Sequence, residues 1–469
     1  TTSCVYRSEA TYLCKIITSN GRRNAMRLPL VNPTVHACIL LVAAAVRGAA
    51  GWKICNVMSY GAVGDGIHAD TIALRAAIAS CHGGGEVVVP PGRYLTAPFN
   101  LSSNLALRLD PRAVLLGTNY TMYPLPPLPS MGGSVAAGGG GGAGLPCRYS
   151  PLVGAGNATN VTIFGGGRID GQGPLGWYNY KPRACRKPML VEFWYVTGLR
   201  LHNITLHNSP FWTLHPYFSK DIHISNINIT VDPPGNGHFN TDGIDPDSCE
   251  NVLIEDYYYC GGDDAIAIKS GWNIAGVIYG KPSRNITVRR SSSGCRGGWT
   301  IGSEAHAGVY DVLFEDLVSN SESGIRISAE LGRGGTVQNV TFRRLTFNWT
   351  ALNTPNANPN KTFLFNVEQN YATGGTFPPC DGCPIPKLTP SQTTPVFDAI
   401  IFEDITVLRA PKGLPLGTWD CGVAPCTGIV FSNITLVDAS GPIALLCSGV
   451  HGPAAVNVDP ALSHCINAT

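Results

Sequence analysis

The chain has 469 residues, 44% of them hydrophobic and 14% charged, with a formal net charge of +2. That length and apolar content support a large buried core and exclude global disorder. A charge so close to zero gives no electrostatic reason to expect nucleic acid or an anionic membrane surface as a partner.

At the N-terminal end, Met26 and Arg27 precede an apolar run from Ala37 to Val46, followed by Gly48, Ala49 and Ala50. A positive segment, a short apolar stretch and a small-residue cleavage site make up a secretory signal peptide, read from Met26 as the start. The run is too short for a membrane anchor. The expected division is 1–25 as an upstream extension, 26–50 as signal peptide and 51–469 as one secreted domain. Asp70 and Thr71 then offer a cap before Ile72, Leu74, Ala77 and Ile78, which are spaced for one apolar helical face. A short helix there would close the open end of a repeat structure. The tract Gly132–Gly144, mostly Gly and Ala, reads as a surface loop.

From residue 160 a short pattern recurs: Asn, Asp or a small residue, then apolar residues at alternate positions. Its starts are Asn160, Gly198, Asp221, Asn251, Asn285, Asp311, Asn339, Ala399 and Gly428. Period-2 alternation predicts strands with one buried face, and a unit of roughly 23–30 residues predicts coils that bury that face only against their neighbours. Helical stripes and a leucine-rich consensus are both missing. The fold class is therefore all-β, a single-domain parallel β-helix (solenoid) with a short N-terminal capping helix. Asn at a coil start suits a bend where its side chain bonds a neighbouring backbone.

Three carboxylates stand out within this repeat: Asp242 in Asn240-Thr241-Asp242-Gly243-Ile244-Asp245, and the pair in Gly261-Gly262-Asp263-Asp264. Counted from their coil starts, and treating residues 232–238 as an inserted loop, the three fall at about the same offset. They should stack on adjacent coils, about 4.8 Å apart along the axis. The same count brings Gly297 and then Arg326 into the column. A lone Asp in a Gly-rich turn is usually a turn former, but stacked like charges call for a function or a cation. Calcium binding is the rival reading. Glycoside hydrolysis needs one protonated and one ionised carboxyl, a split that mutual repulsion supplies.

These motifs, Asn240 to Ser248, Gly262-Asp263-Asp264 and Ala267-Ile268-Lys269-Ser270-Gly271, resemble glycoside hydrolase family 28, the polygalacturonases and their relatives. Tyr60 to Gly66, Ile169 to Gly173 and Asn208 to Trp212 share the resemblance, which covers roughly residues 52–450 and looks plant-type. It implies an inverting hydrolase of galacturonate-containing pectin backbone, on a right-handed β-helix, needing no metal or other cofactor. It further implies Asp263 as general acid, Asp242 and Asp264 as the groups that orient and deprotonate water, and Asn240, Lys269 and Arg326 as substrate-binding candidates. Two positions depart from the pattern. Gly297 stands where the family usually has His, and Ser328 where it usually has Lys after Arg-Ile. Both weigh against efficient cleavage of plain homogalacturonan. His238 and His306 lie close enough in sequence to be considered as substitutes, and Arg284, Arg289, Arg290 and Arg333 as further positive field.

Sixteen cysteines, thirteen of them after Ala50, suit an oxidising compartment, and the odd count leaves one thiol unpaired or intermolecular. Cys380/Cys383, Cys421/Cys426 and Cys447/Cys465 are close enough to staple loops, and twelve Asn-x-Ser/Thr sequons fit a secreted, extracellular or wall location. The expected partner is a pectic polysaccharide, with no nucleic acid and no membrane anchor, and the expected state is a monomer. Alternatives are hydrolysis of rhamnogalacturonan or xylogalacturonan, a calcium-dependent lyase, and a non-catalytic pectin-binding wall protein.

Overall fold

The computed structural model describes residues 2–6, 11–17, 23–29, 52–124, 147–174, 185–232, 240–271, 273–321, 323–330, 334–349, 363–371, 387–409, 416–422, 424–437, 445–450 and 454–458. The Gly/Ala tract, His238, Arg333, Cys380, Cys383, Cys465 and the apolar run at 37–46 lie outside these. The chain divides into two units, 1–53 and 54–469. The first contains a three-stranded antiparallel sheet of Thr2–Tyr6, Thr11–Ile17 and Arg23–Pro29. No described helix is long and apolar enough to cross a membrane.

The second unit is a parallel β-helix. One face is a sheet of 17 strands, its central members running Thr197–His207, Lys220–Thr230, Glu250–Cys260, Ser283–Ser293, Val309–Ser319, Thr336–Asn348 and Val396–Leu408. Their pairing aligns Leu199, Ile222, Val252, Ile286, Val312, Val340 and Ile400. Parallel strands joined by crossovers give the right-handed sense. All nine predicted coil starts are left-handed residues, with φ between 53° and 77°. Asn, Asp and Gly adopt that conformation most readily, which is why eight of the nine starts are these residues and Ala399 is the exception. The bonds they make differ from expectation. Asn251 Nδ2 donates to Asp221 Oδ1 at 2.9 Å and Asn285 Nδ2 to Asn251 Oδ1 at 2.8 Å, so the ladder is exposed and runs side chain to side chain.

Inward residues pack in rows along the axis. Phe314, Phe342, Phe402 and Phe431 stack with ring centroids 4.7, 5.3 and 5.3 Å apart. Each such contact adds roughly 0.5–1.5 kcal/mol beyond burial. The capping helix is Thr71–Ser80, and it buries Ala73, Leu74, Ala77 and Ile78. Ile72 instead faces solvent. Asp70 does not cap the helix with its side chain, because its carboxylate accepts from Val63 N and Gly64 N.

Three disulfides are present among the described residues, Cys55–Cys81, Cys260–Cys295 and Cys421–Cys426, and Cys447 is also bonded. The buried Cys249 is a free thiol.

Candidate active site

A second run of strands forms another side of the solenoid: Val191–Trp194, Leu214–Tyr217, Ile266–Ile268, Trp299–Ile301, Ser323–Ser328 and Phe363–Glu368. Isolated bridges from Ile244 to Leu214 and Ile266 join its two halves. Side chains alternate, so Leu214, Ile244 and Ile266 point inward while His215, Asp245 and Arg326 point outward.

Asp242, Asp263 and Asp264 sit just before the strand positions Ile244 and Ile266. The Gly243 N–H donates to Asp264 O at 2.9 Å and holds the two coils in step. Asp242 and Asp264 thus occupy equivalent positions on adjacent coils, each two residues before the paired Ile244 and Ile266. One oxygen from each of the three carboxylates lies within 4.8 Å of the other two. Asp242 is buried, while Asp263 and Asp264 are partly exposed.

Asp263 is aimed by backbone amides: Asn240 N donates to its Oδ2 at 2.9 Å and Asp264 N to its Oδ1 at 3.1 Å. Burial, then repulsion from Asp245 and Asp263, pushes Asp242 well above the usual carboxylate range. Burial also raises Asp264, to about 6, against the opposing charge of Arg326. Asp242 and Asp264 therefore hold protons where ordinary carboxylates have lost them. Three clustered oxygens would equally suit a hard cation.

The predicted binding residues fare differently. Asn240, at φ 61°, takes part through its backbone. Arg326 pairs in register with Thr300 rather than with the acids, and it reaches diagonally so that Nη1 lies 3.8 Å from Asp264 Oδ2. Its guanidinium also donates to Asn366 Oδ1 and lies over the Phe363 ring. Lys269 is buried, with Nζ 3.0 Å from Glu304, 3.9 Å from Asp245 and 4.3 Å from the centre of the Trp212 ring. The ammonium is enclosed by these protein groups. Burial drives Asp245 up to about 8 despite Lys269. Beyond it, buried His215 bridges Glu192 at 2.9 Å and Asp247 at 3.5 Å.

His306 places its Nδ1 3.1 Å from Gly271 O. Arg289 and Arg290 pair with Glu255 and Asp256 on the long sheet. At Gly297, φ is 148° and an added Cβ would come 2.7 Å from the Tyr259 ring. Tyr259 occupies the space a larger residue at 297 would need. Its hydroxyl donates to Thr241 O at 2.9 Å and accepts from Asp263 N at 3.1 Å, joining the two acidic segments. Sequence reasoning missed this residue. The one available signal was the aromatic run 257–259 beside a Gly where a larger residue was expected.

Comparison with known proteins places this geometry. The profile described as Glycosyl hydrolases family 28 matches residues 148–353, and one described as Rhamnogalacturonase A/epimerase, pectate lyase-like matches 54–111. A probable polygalacturonase of Vitis vinifera is 34% identical over 417 residues, covering 85% of this chain and 77% of the relative. An endo-polygalacturonase of Pectobacterium carotovorum is 30% identical over 290 residues, 58% of this chain and 67% of the relative. The solved exopolygalacturonase of Thermotoga maritima superposes with a TM-score of 0.65 at 24% identity, covering 86% of this chain and 91% of that one.

Proposed function

This chain belongs to glycosyl hydrolases family 28, and we propose that it is a secreted enzyme cleaving the galacturonate-containing backbone of pectin by inverting acid/base hydrolysis. One observation carries the chemistry: three carboxylates on adjacent coils, with oxygens within 4.8 Å of one another and a partly exposed guanidinium 3.8 Å from Asp264. In this reading Asp263 protonates the leaving oxygen, Asp242 and Asp264 position and deprotonate water, and Arg326 meets a uronate carboxylate. Lys269 acts as a positioning residue, holding Asp245 and Glu304 behind the trio. The disulfides support export to an oxidising compartment.

The test is reducing-sugar release from homogalacturonan, xylogalacturonan and rhamnogalacturonan. Wild type is expected to cleave at least one, and Asp263→Asn to be slower by roughly 10²–10⁴-fold. No release by wild type from any of them would favour the wall-binding alternative, and an unsaturated, ultraviolet-absorbing product the lyase. The inverting assignment comes from the family. The oxygens lie within 4.8 Å, closer than the roughly 6.5–9.5 Å usual for inversion. Proton NMR of the first anomer formed decides it, and a retained anomer would recast one of the trio as nucleophile. Gly297 and Ser328 favour a substituted backbone as the second reading, which a higher kcat/KM on xylogalacturonan or rhamnogalacturonan would support.

A further inference from the structure

On the flank of the solenoid, past the ends of the outward strands, lies a cavity of about 630 Å³. That is within the range of roughly 300–1,000 Å³ typical of ligand sites. One wall is aromatic. Tyr195 and Phe218 stack with centroids 5.2 Å apart and planes 18° from parallel, and Phe218 lies 4.6 Å from Tyr279. The Tyr195 and Tyr279 hydroxyls are 2.9 Å apart. The rim carries exposed Lys220, Lys281 and Arg284.

These cations differ from the paired arginines of the long sheet. On the long sheet, Arg289, Arg290, Arg343 and Arg344 each sit against a carboxylate of the preceding coil. Lys220, Lys281 and Arg284 form no ion pair among the described residues, although Glu250 stands in register between Lys220 and Arg284. Three cations against one carboxylate leave the rim positive. An aromatic ladder alone would serve packing, and lone surface lysines would be solvated. A concavity combining ring faces with convergent unneutralised cations recognises a ligand that has both apolar C–H faces and carboxylates.

We propose that this cavity is a second saccharide site, binding a uronate-bearing segment of the polymer away from the catalytic carboxylates. Its ligand class rests on the pectic-substrate reading. Ser248 on its wall is six residues along the chain from Asp242, so the two sites are on the order of 20 Å apart. A polymer can engage both at once, whereas a short oligomer reaches only one. Holding the chain at the flank raises its effective concentration at the trio.

The experiment uses the full chain. Trigalacturonate binding to the Asp263→Asn protein is measured by calorimetry, with and without Lys220→Glu and Lys281→Glu together. Two sites are expected in the first protein and one in the second. In the otherwise wild-type enzyme the same pair should leave kcat/KM on trigalacturonate unchanged and raise KM for polymeric pectate about tenfold. A single site in both proteins, an unchanged polymer KM, or equal binding of a neutral galactan oligomer at the flank would each overturn the proposal. If wild type hydrolyses no pectic substrate, the activity assignment fails while the calorimetry still reads the cavity directly. Lys281→Gln, milder than charge reversal, should show a smaller rise in KM if the cation acts as proposed.

Discussion

At the scale of single residues, Tyr259 and Gly297 form one unit. The ring needs the absence of a side chain at 297, and the hydroxyl ties Asp263 to the Thr241 carbonyl. Tyr259→Phe keeps the ring and removes both bonds, leaving buried groups unpaired at a cost of about 1–3 kcal/mol. We expect kcat to fall roughly tenfold with KM little changed, because the loss concerns aim rather than substrate contact. Gly297→His, which restores the residue usual in the family, should lower the melting temperature, since its Cβ meets the ring and its φ lies at 148°. Arg326 carries a separate prediction. Asp264, raised to about 6, must be ionised to accept a proton from water, so kcat/KM rises with pH through that value. Arg326 opposes the rise, and Arg326→Gln should move this acidic limb to higher pH as well as raising KM.

At the scale of elements, the acidic loop depends on the strands that flank it. Cys260 ends the strand Glu250–Cys260 and is bonded to Cys295, just past Ser283–Ser293. The bond therefore clamps the coil bearing Asp263 and Asp264 to the one bearing Gly297. Replacing both cysteines with Ser should cost about 3–4 kcal/mol by loosening the unfolded chain. Differential scanning calorimetry reads that loss as a lower melting temperature, and activity per folded molecule should fall as the loop loses its clamp. The capping helix shows how an element's neighbours redirect its residues. Asp70 precedes the helix, yet its carboxylate serves the loop amides of Val63 and Gly64.

At the scale of the whole molecule, stability and catalysis are linked through buried charge. Asp242, Asp245 and Asp264 all titrate above their ordinary range, with burial as the largest cause. A carboxyl raised on folding contributes stability that is complete below its unfolded value and is lost as pH rises through its folded value. The melting temperature should therefore fall between pH 5 and pH 8, and Asp245→Asn should flatten that slope. An unaltered slope would remove Asp245 from the account.

The coil starts, the strand alternation and the stacking of Asp242 with Asp264 were legible in the order of residues, because each depends on local chain geometry. A left-handed bend calls for Asn, Asp or Gly, and a half-buried strand calls for period-2 alternation, wherever the neighbouring coils lie. Which outward side chains become enclosed depended on the lateral packing of coils and loops of unequal length. That packing buried Lys269 against Glu304, sent Arg326 diagonally to Asp264 and put Tyr259 in the space beside Gly297. It also gathered three cations from separate turns around one aromatic cavity. The carboxylate trio was thus readable from spacing, whereas its electrostatic surroundings were set by contacts between residues 18 to 62 positions apart in the chain.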